Sequence, residues 1–261
     1  MAPRKAGKLE FALLGSGSKG NATLVRHGET CLMVDCGFSK TETSRRLARL
    51  GLEPGDVTAI FVTHEHSDHI GGVDSFSRKF GTPVFLTAGT NANAGKRAVR
   101  GANLLRIEQP LVIGDIEVTP VPVPHDAREP AQYVFDSGQH RLGVLTDLGR
   151  LTPHVVQQYS GLDAFILEAN HDEAMLANGP YPQKLKDRVG GGLGHLSNRQ
   201  SAELLDMIDC SKLQHLVAAH ISEHNNTNGH AREALAGALG CESDWVQVAC
   251  QVEGLGWRQL A

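Results

Sequence analysis

The chain predicts an α/β fold of stacked layers, built as one domain over residues 1–261, and three observations lead there. Short apolar, β-branched runs alternate along the whole length with segments of helical periodicity, the pattern of sheets covered by helices. No low-complexity segment or linker interrupts the alternation. Several of the apolar runs end in a histidine or an aspartate. That puts polar chemistry at strand ends, where open α/β structures bind ligands.

Taken in order, residues 1–8 (MAPRKAGK) are basic and lead into no long apolar stretch, so they are expected to be a disordered tail, not a signal peptide. Strands follow at 9–15 (LEFALLG), 21–27 (NATLVRH) and 30–35 (TCLMVD), the last two joined by a Gly-Glu turn. Ser39 is a candidate N-cap for a helix through Leu50, closed by Gly51. TAIFVT (58–63) reads as a buried strand, followed by a helix to about Phe80 and the strand PVFLT. Further strands are expected at 104–108, 116–123, 131–136 and 141–146, with LTPHVVQQY helical after them. DAFILEA (163–169) is another buried strand. A helix near 198–208 precedes the strand LQHLVAAH (213–220). The helix HAREALAGALG and a last strand, WVQVACQV, complete the order.

Composition narrows the class. At 41% hydrophobic and 21% charged, the chain reads as an ordinary globular protein with no run long enough to span a membrane. Five cysteines, Cys31, Cys36, Cys210, Cys241 and Cys250, form no CxxC pair and are odd in number, which points to a reduced, cytoplasmic setting. A net charge of −4 excludes a blanket basic surface of the nucleic-acid-binding type. A polyanionic substrate would have to be attracted by a local patch and by bound cations.

The chemistry concentrates in THEHSDHIGG (63–72), where His64, His66, Asp68 and His69 crowd between a strand and a helix. Imidazole and carboxylate together suit Zn, Mn or Fe. Three further candidates end later strands: His125, Asp147 and His220. A lone histidine is ordinarily structural, and an aspartate at a strand end commonly caps a helix. With the first cluster beside them, the three read as part of one metal centre.

H-x-H-x-D-H after a strand, then His, Asp and His at later strand ends, resembles the metallo-β-lactamase superfamily. The resemblance implies a four-layer αββα sandwich with metals at one edge of the sheets. It implies that His64, His66 and His125 hold one divalent ion, that Asp68, His69 and His220 hold a second, and that Asp147 bridges them. Zn or Mn fits such ligands, with Fe conceivable. Two cations sharing a carboxylate acidify a water and neutralise charge on a phosphodiester. True β-lactamases usually carry a cysteine among these ligands. None stands at a ligand position here, which favours other hydrolases.

Further stretches resemble the YycJ/WalJ subfamily over about residues 9 to 240: LLGSGSKGN (13–21), VDCG (34–37), PHDAREP (124–130), TDLG (146–149), LEANHD (167–172), NGPYP (178–182), GHLSN (194–198) and AHISEHNNT (219–227). The resemblance implies a bacterial cytosolic DNA exonuclease of 5′-to-3′ polarity. The interval between Asp147 and His220 leaves no room for a β-CASP domain.

Asp68 and His195 are the residues expected to take part in the reaction, His195 by protonating a leaving oxygen or binding phosphate. Ser197 or Asn198 would cap a helix whose N–H groups point toward an anion. Ser16, Ser18 and Asn21 in GSGSKGN are expected to contact substrate. In QKLKDR, Lys184, Lys186 and Arg188 form a short basic patch, by default a solvated face and here the best candidate for a phosphate track. Asp35, Glu168, Asn170 and His171 are expected to support the ligands from behind. Two rival functions remain: a small cyclic or nucleotide phosphodiesterase, which the acidic balance fits, and a metal-binding regulatory protein without turnover, against which the full ligand set counts. The expected partner is nucleic acid, DNA favoured, with no membrane; the oligomeric state is open, a homodimer included.

Overall fold

Apolar runs of five or six residues open the chain as an antiparallel meander: β1 (Glu10–Gly15), β2 (Ala22–His27) and β3 (Thr30–Val34). The computed structural model describes residues 7–261, so most of the expected basic tail lies outside the described residues. Gly7 is described, and its carbonyl lies 2.7 Å from His27 Nε2.

The first sheet continues in parallel through β4 (Ala59–Phe61), β5 (Val84–Thr87) and β6 (Asn103–Leu105). The second sheet repeats that plan. β7 (Leu111–Ile113), β8 (Ile116–Pro122), β9 (Ala131–Asp136) and β10 (Arg141–Leu145) run antiparallel. β11 (Ala164–Glu168), β12 (His215–Ala219) and β13 (Gln247–Val248) then add in parallel. A last strand, β14 (Leu255–Gln259), returns to the first sheet and pairs with β1. Each sheet is thus seven-stranded, in the orders β14-β1-β2-β3-β4-β5-β6 and β13-β12-β11-β10-β9-β8-β7.

Parallel neighbours need crossover connections, and most of these carry the helices. The first half holds α1 (Lys40–Arg49), α2 (Ser67–Ile70), α3 (Val73–Phe80) and α4 (Ala88–Asn93). The second holds α5 (Pro153–Gln158), α6 (Glu173–Asn178), α7 (Gln183–Val189), α8 (Asn198–Met207) and α9 (Asn228–Leu239). The buried side chains form three apolar layers. Phe11, Phe61, Tyr133, Phe135 and Ile166 fill the space between the sheets. Leu47, Ile60 and Phe76 join α1 and α3 to the first sheet; Val155, Leu204 and Leu235 join α5, α8 and α9 to the second. This is the expected αββα sandwich.

Three local expectations differ. The helix expected to run to Phe80 is split at Gly71–Gly72 into α2 and α3. The strand expected at 104–108 ends at Leu105, and β7, which was not expected, follows it. Of WVQVACQV only Gln247–Val248 pairs, and the terminal strand is β14. β14 lacks apolar alternation because it is a half-exposed edge, and the free side of β1 decides its conformation. The turn into it requires glycine: Gly254 has φ +70°, and a Cβ there would lie 1.9 Å from the Leu13 carbonyl oxygen.

Candidate metal centre

The C-terminal ends of β3, β4, β10, β11 and β12, and the segment just after β8, meet at one edge of the sandwich. There they present Asp35, His64, Asp147, Glu168, His220 and His125 respectively. His66, Asp68 and His69 come from the turn after β4 and from α2. Asp35, Asp147 and His220 adopt left-handed backbone, with φ of 61°, 63° and 52°. Such geometry is costly for residues with a Cβ and gathers at functional sites.

The donor atoms fall into overlapping groups, each within 4.8 Å: His64, His66 and His125; Asp68, His69 and His220; His64, His69 and Asp147; and Asp147 with Glu168, His195 and His220. The two triplets thus correspond to the two expected ligand sets, and Asp147 reaches toward both. Its Oδ1 is 3.8 Å from His125 Nε2 and its Oδ2 is 3.2 Å from His69 Nε2.

Hydrogen bonds fix how the imidazoles face. The Asp35 carboxylate accepts from Thr63 N at 2.8 Å, from Thr63 Oγ1 at 2.9 Å and from His69 Nδ1 at 2.7 Å. With the Thr63 hydroxyl proton committed to Asp35, His64 Nδ1 donates to Thr63 Oγ1 at 2.9 Å. His125 Nδ1 donates to the Gly194 carbonyl at 3.0 Å. The Nε2 lone pairs of His64, His69 and His125 are therefore left for the centre, the arrangement that ligating histidines use. Glu168 is fully buried. Its carboxylate accepts from His195 Nδ1 at 2.8 Å, His220 Nδ1 at 3.1 Å, Leu148 N at 3.0 Å and Leu196 N at 3.1 Å.

The donor set fits divalent cations. His64 Nε2 and Asp147 Oδ2 are buried without a hydrogen-bond partner, a costly state that a metal relieves. Burial, then the neighbouring His69, His125 and His66, push His64 well below its ordinary value, so it is neutral. Burial alone would also lower His220, but Asp147, Asp68 and Glu168 outweigh it and raise it to about 10. His69 is raised in the same way by Asp147, Asp35 and Asp68. Without metal, these protons balance the buried carboxylates; cations replace them when bound.

The remaining candidates divide. A cavity of about 210 Å³ above the donors is lined by Ser18, Asn170, Arg188 and His195, among others. Asn170 also donates to the His220 carbonyl at 2.8 Å. Ser16 and Asn21 do not line it. The Ser16 hydroxyl accepts from His220 N at 2.8 Å. Asn21 Nδ2 reaches the Asp68 carbonyl and Oδ2, both at 3.3 Å. These two side chains are buried and hydrogen-bonded to His220 and Asp68. Gly37 serves the same packing, since a Cβ there would lie 1.8 Å from the Asp68 carbonyl oxygen.

Ser197 and Asn198 are likewise buried. Ser197 caps α8 by accepting from Gln200 N at 3.2 Å, and Asn198 Nδ2 donates to Asn226 Oδ1 at 2.9 Å. Asn198 N donates to the His171 carbonyl and Gln200 N to Ser197 Oγ, so two of the N–H groups at the start of α8 are bonded within the chain. His171 touches none of the ligands through a hydrogen bond. It lies beyond the end of β11 and lines a separate cavity beside Lys186. Lys186 Nζ donates to the Ala177 carbonyl at 2.6 Å, and Lys184 is exposed and lines neither cavity. Of the basic patch, Arg188 alone faces the donors, held by Asp126 Oδ2 at 2.6 Å. Thr63, Asp126 and Tyr181, which lines the site cavity, escaped the sequence reading. Threonine and tyrosine carry no ligand signature, and Asp126 was hidden behind its neighbour His125.

The Beta-lactamase superfamily domain model matches residues 30–221. Exodeoxyribonuclease YycJ of Bacillus anthracis is 35% identical over 88% of this chain and 89% of its own length. Exodeoxyribonuclease WalJ of Streptococcus pneumoniae serotype 2 (strain D39 / NCTC 7466) is 31% identical over 88% of both. Among solved structures, Zn²⁺-bound PqqB from Methylobacterium extorquens aligns over 96% of this chain and all of that one, with TM-score 0.71 and 16% identity. Fold, donor arrangement and relatives agree: the chain belongs to the metallo-β-lactamase superfamily of metal-dependent hydrolases, and within it to the family of YycJ and WalJ.

Proposed function

We propose that the chain is a dinuclear metal-dependent exonuclease that degrades DNA from the 5′ end in the cytoplasm. The observation that carries this reading is the pair of donor triplets joined by Asp147 beneath a cavity whose wall bears His195 and Arg188. The names of the two curated relatives support DNA as substrate.

His64, His66 and His125 would hold one ion, Asp68, His69 and His220 the other, with Asp147 between them. Zn and Mn both suit this nitrogen and oxygen donor set. The ions would supply an acidified water and neutralise charge on the phosphodiester. Asp35 and Glu168 keep the histidines in the ligating orientation. His195, with Nδ1–H given to Glu168 Oε1, turns its Nε2 to the cavity, where it binds or protonates the leaving oxygen. Arg188 binds a phosphate of the strand.

The test is digestion of end-labelled single- and double-stranded oligonucleotides, with and without a 5′-phosphate, in Mn²⁺ or Zn²⁺. Mononucleotides released progressively from the 5′ end are expected. Asp147→Asn should keep the fold by circular dichroism, lose metal by elemental analysis and lose nearly all turnover. Internal cuts alone, or activity confined to cyclic nucleotides, would overturn the reading.

A further inference from the structure

The cavity over the donors has two unlike halves. Its floor is polar, but one wall is made by Tyr181, Leu185 and Val189, faced by Ile221. Leu185 and Val189 stand four residues apart on one face of α7, and Tyr181 joins them from the bend that precedes Pro182, the helix N-cap. α7 buries no residue, so this apolar stripe is not spent on the core. It is presented to the cavity, next to the metal donors.

Tyr181 is positioned to offer an open ring. Among the described residues its one ring contact is with the exposed His224, at 5.9 Å and 70°, and the side chain lines the cavity. Its hydroxyl has no hydrogen-bond partner among the described residues, so the hydroxyl does not explain its place. Arg188, from α7, lines the same cavity. An aromatic face beside a cation that meets the phosphate is how proteins hold single-stranded nucleic acid without reading sequence. The volume sets a limit as well. About 210 Å³ lies below the roughly 300–1,000 Å³ of pockets for drug-sized ligands, so the part of a substrate held here is small, of the order of one nucleotide.

We infer that Tyr181 stacks on the base of a nucleotide flanking the scissile phosphate, with Leu185 and Val189 extending the platform. This rests on the nuclease reading above and adds the residue that recognises the nucleotide. The platform should tolerate all four bases, since each has a π-face.

The experiment compares wild type, Tyr181→Ala and Tyr181→Phe on single-stranded oligonucleotides. Three substrates are used: one unmodified, one with an abasic tetrahydrofuran at the terminal position and one with it at the next. On the unmodified strand Tyr181→Ala should raise KM roughly tenfold, within the range that base–aromatic stacking supports, with a smaller change in kcat. Tyr181→Phe should behave as wild type, because the ring and not the hydroxyl acts. Removing the base at one flanking position should cost wild type a similar factor and cost Tyr181→Ala little more. The inference is overturned if Tyr181→Ala is equally impaired with and without the base, if it is not impaired, or if Tyr181→Phe fails to rescue. Wild-type protein that degrades neither the unmodified strand nor its duplex would instead remove the nuclease reading itself, before any variant is compared.

Discussion

Glu168 holds together more of the site than any other single side chain. Its two oxygens receive two imidazole N–H groups and two backbone N–H groups, fixing His195 and His220 at once. That shared anchor raises a question about His195, which also lies within ligating distance of Asp147 and His220. Substitution separates the roles. His195→Ala should retain both metals by elemental analysis while turnover of DNA falls by about 10²–10⁴-fold, the usual contribution of a placed proton donor. The loss should shrink on bis-p-nitrophenyl phosphate, whose leaving group needs no proton. If the variant loses a metal, His195 is a ligand; if both substrates suffer alike, it binds phosphate and protonates nothing.

Among the elements, β14 is the one whose contribution is least expected from its composition. Leu-Gly-Trp-Arg-Gln is half exposed, yet it closes the first sheet by pairing with β1. It brings Trp257 Nε1 to the Leu50 carbonyl at 3.1 Å, and the Arg26 guanidinium lies 4.1 Å over the Trp257 ring. Leu260, just beyond, is fully buried among the residues between the sheets. Truncation after Gly254 removes that leucine from the core and leaves β1 as an open edge. The loss of Leu260 burial alone costs about 2 kcal/mol, so the truncated chain should show a clearly lower urea midpoint and a greater tendency to aggregate. An unchanged midpoint would mean that β14 does not stabilise the sheet. α7 behaves in the opposite way: it buries nothing and lies between two cavities, so its amides should exchange with solvent sooner than those of α8.

At the scale of the whole molecule, the packed layers bury weak acids that must stay neutral. Burial pushes the Cys31 and Cys36 thiols up to about 12 from an ordinary 9.0. It also raises the Tyr133 and Tyr159 hydroxyls well above the usual phenol range, and both donate to carbonyls, of Val62 and Val144 at 2.6 and 2.9 Å, which favours the same protonated form. A raised native pKa means that between about 9 and 12 the unfolded chain has lost a thiol proton that the native chain keeps. Stability is then full below pH 9 and falls as pH rises through that window. Urea midpoints measured from pH 8 to 11 should decline steadily, and an Ellman titration of native protein at pH 8 should leave Cys31 and Cys36 unreacted until denaturant is added. A flat profile above pH 9 would show that these groups ionise as readily in the folded chain as in the unfolded one.

The sequence by itself determined the fold class, most of the strand order and the donors at the strand ends. Those features are local: β-branched runs and helical periodicity need no distant partner to be recognised, and His and Asp ending several such runs carry their own chemical meaning. What each polar residue faces was decided only by tertiary structure. Ser16, Asn21, Ser197 and Asn198 look like substrate contacts in their motifs, but packing turned them onto ligand backbones and a helix start. His171 and Glu168 share one short motif, yet Glu168 holds His195 and His220 while His171, past the end of β11, lines a separate cavity. Tyr181 gains its place from the bend that leads into α7, and β14 gains its conformation from the free edge of β1. Hydrogen-bond direction and edge pairing depend on neighbours more than forty residues away, as between Glu168 and His220, so no local stretch encodes them.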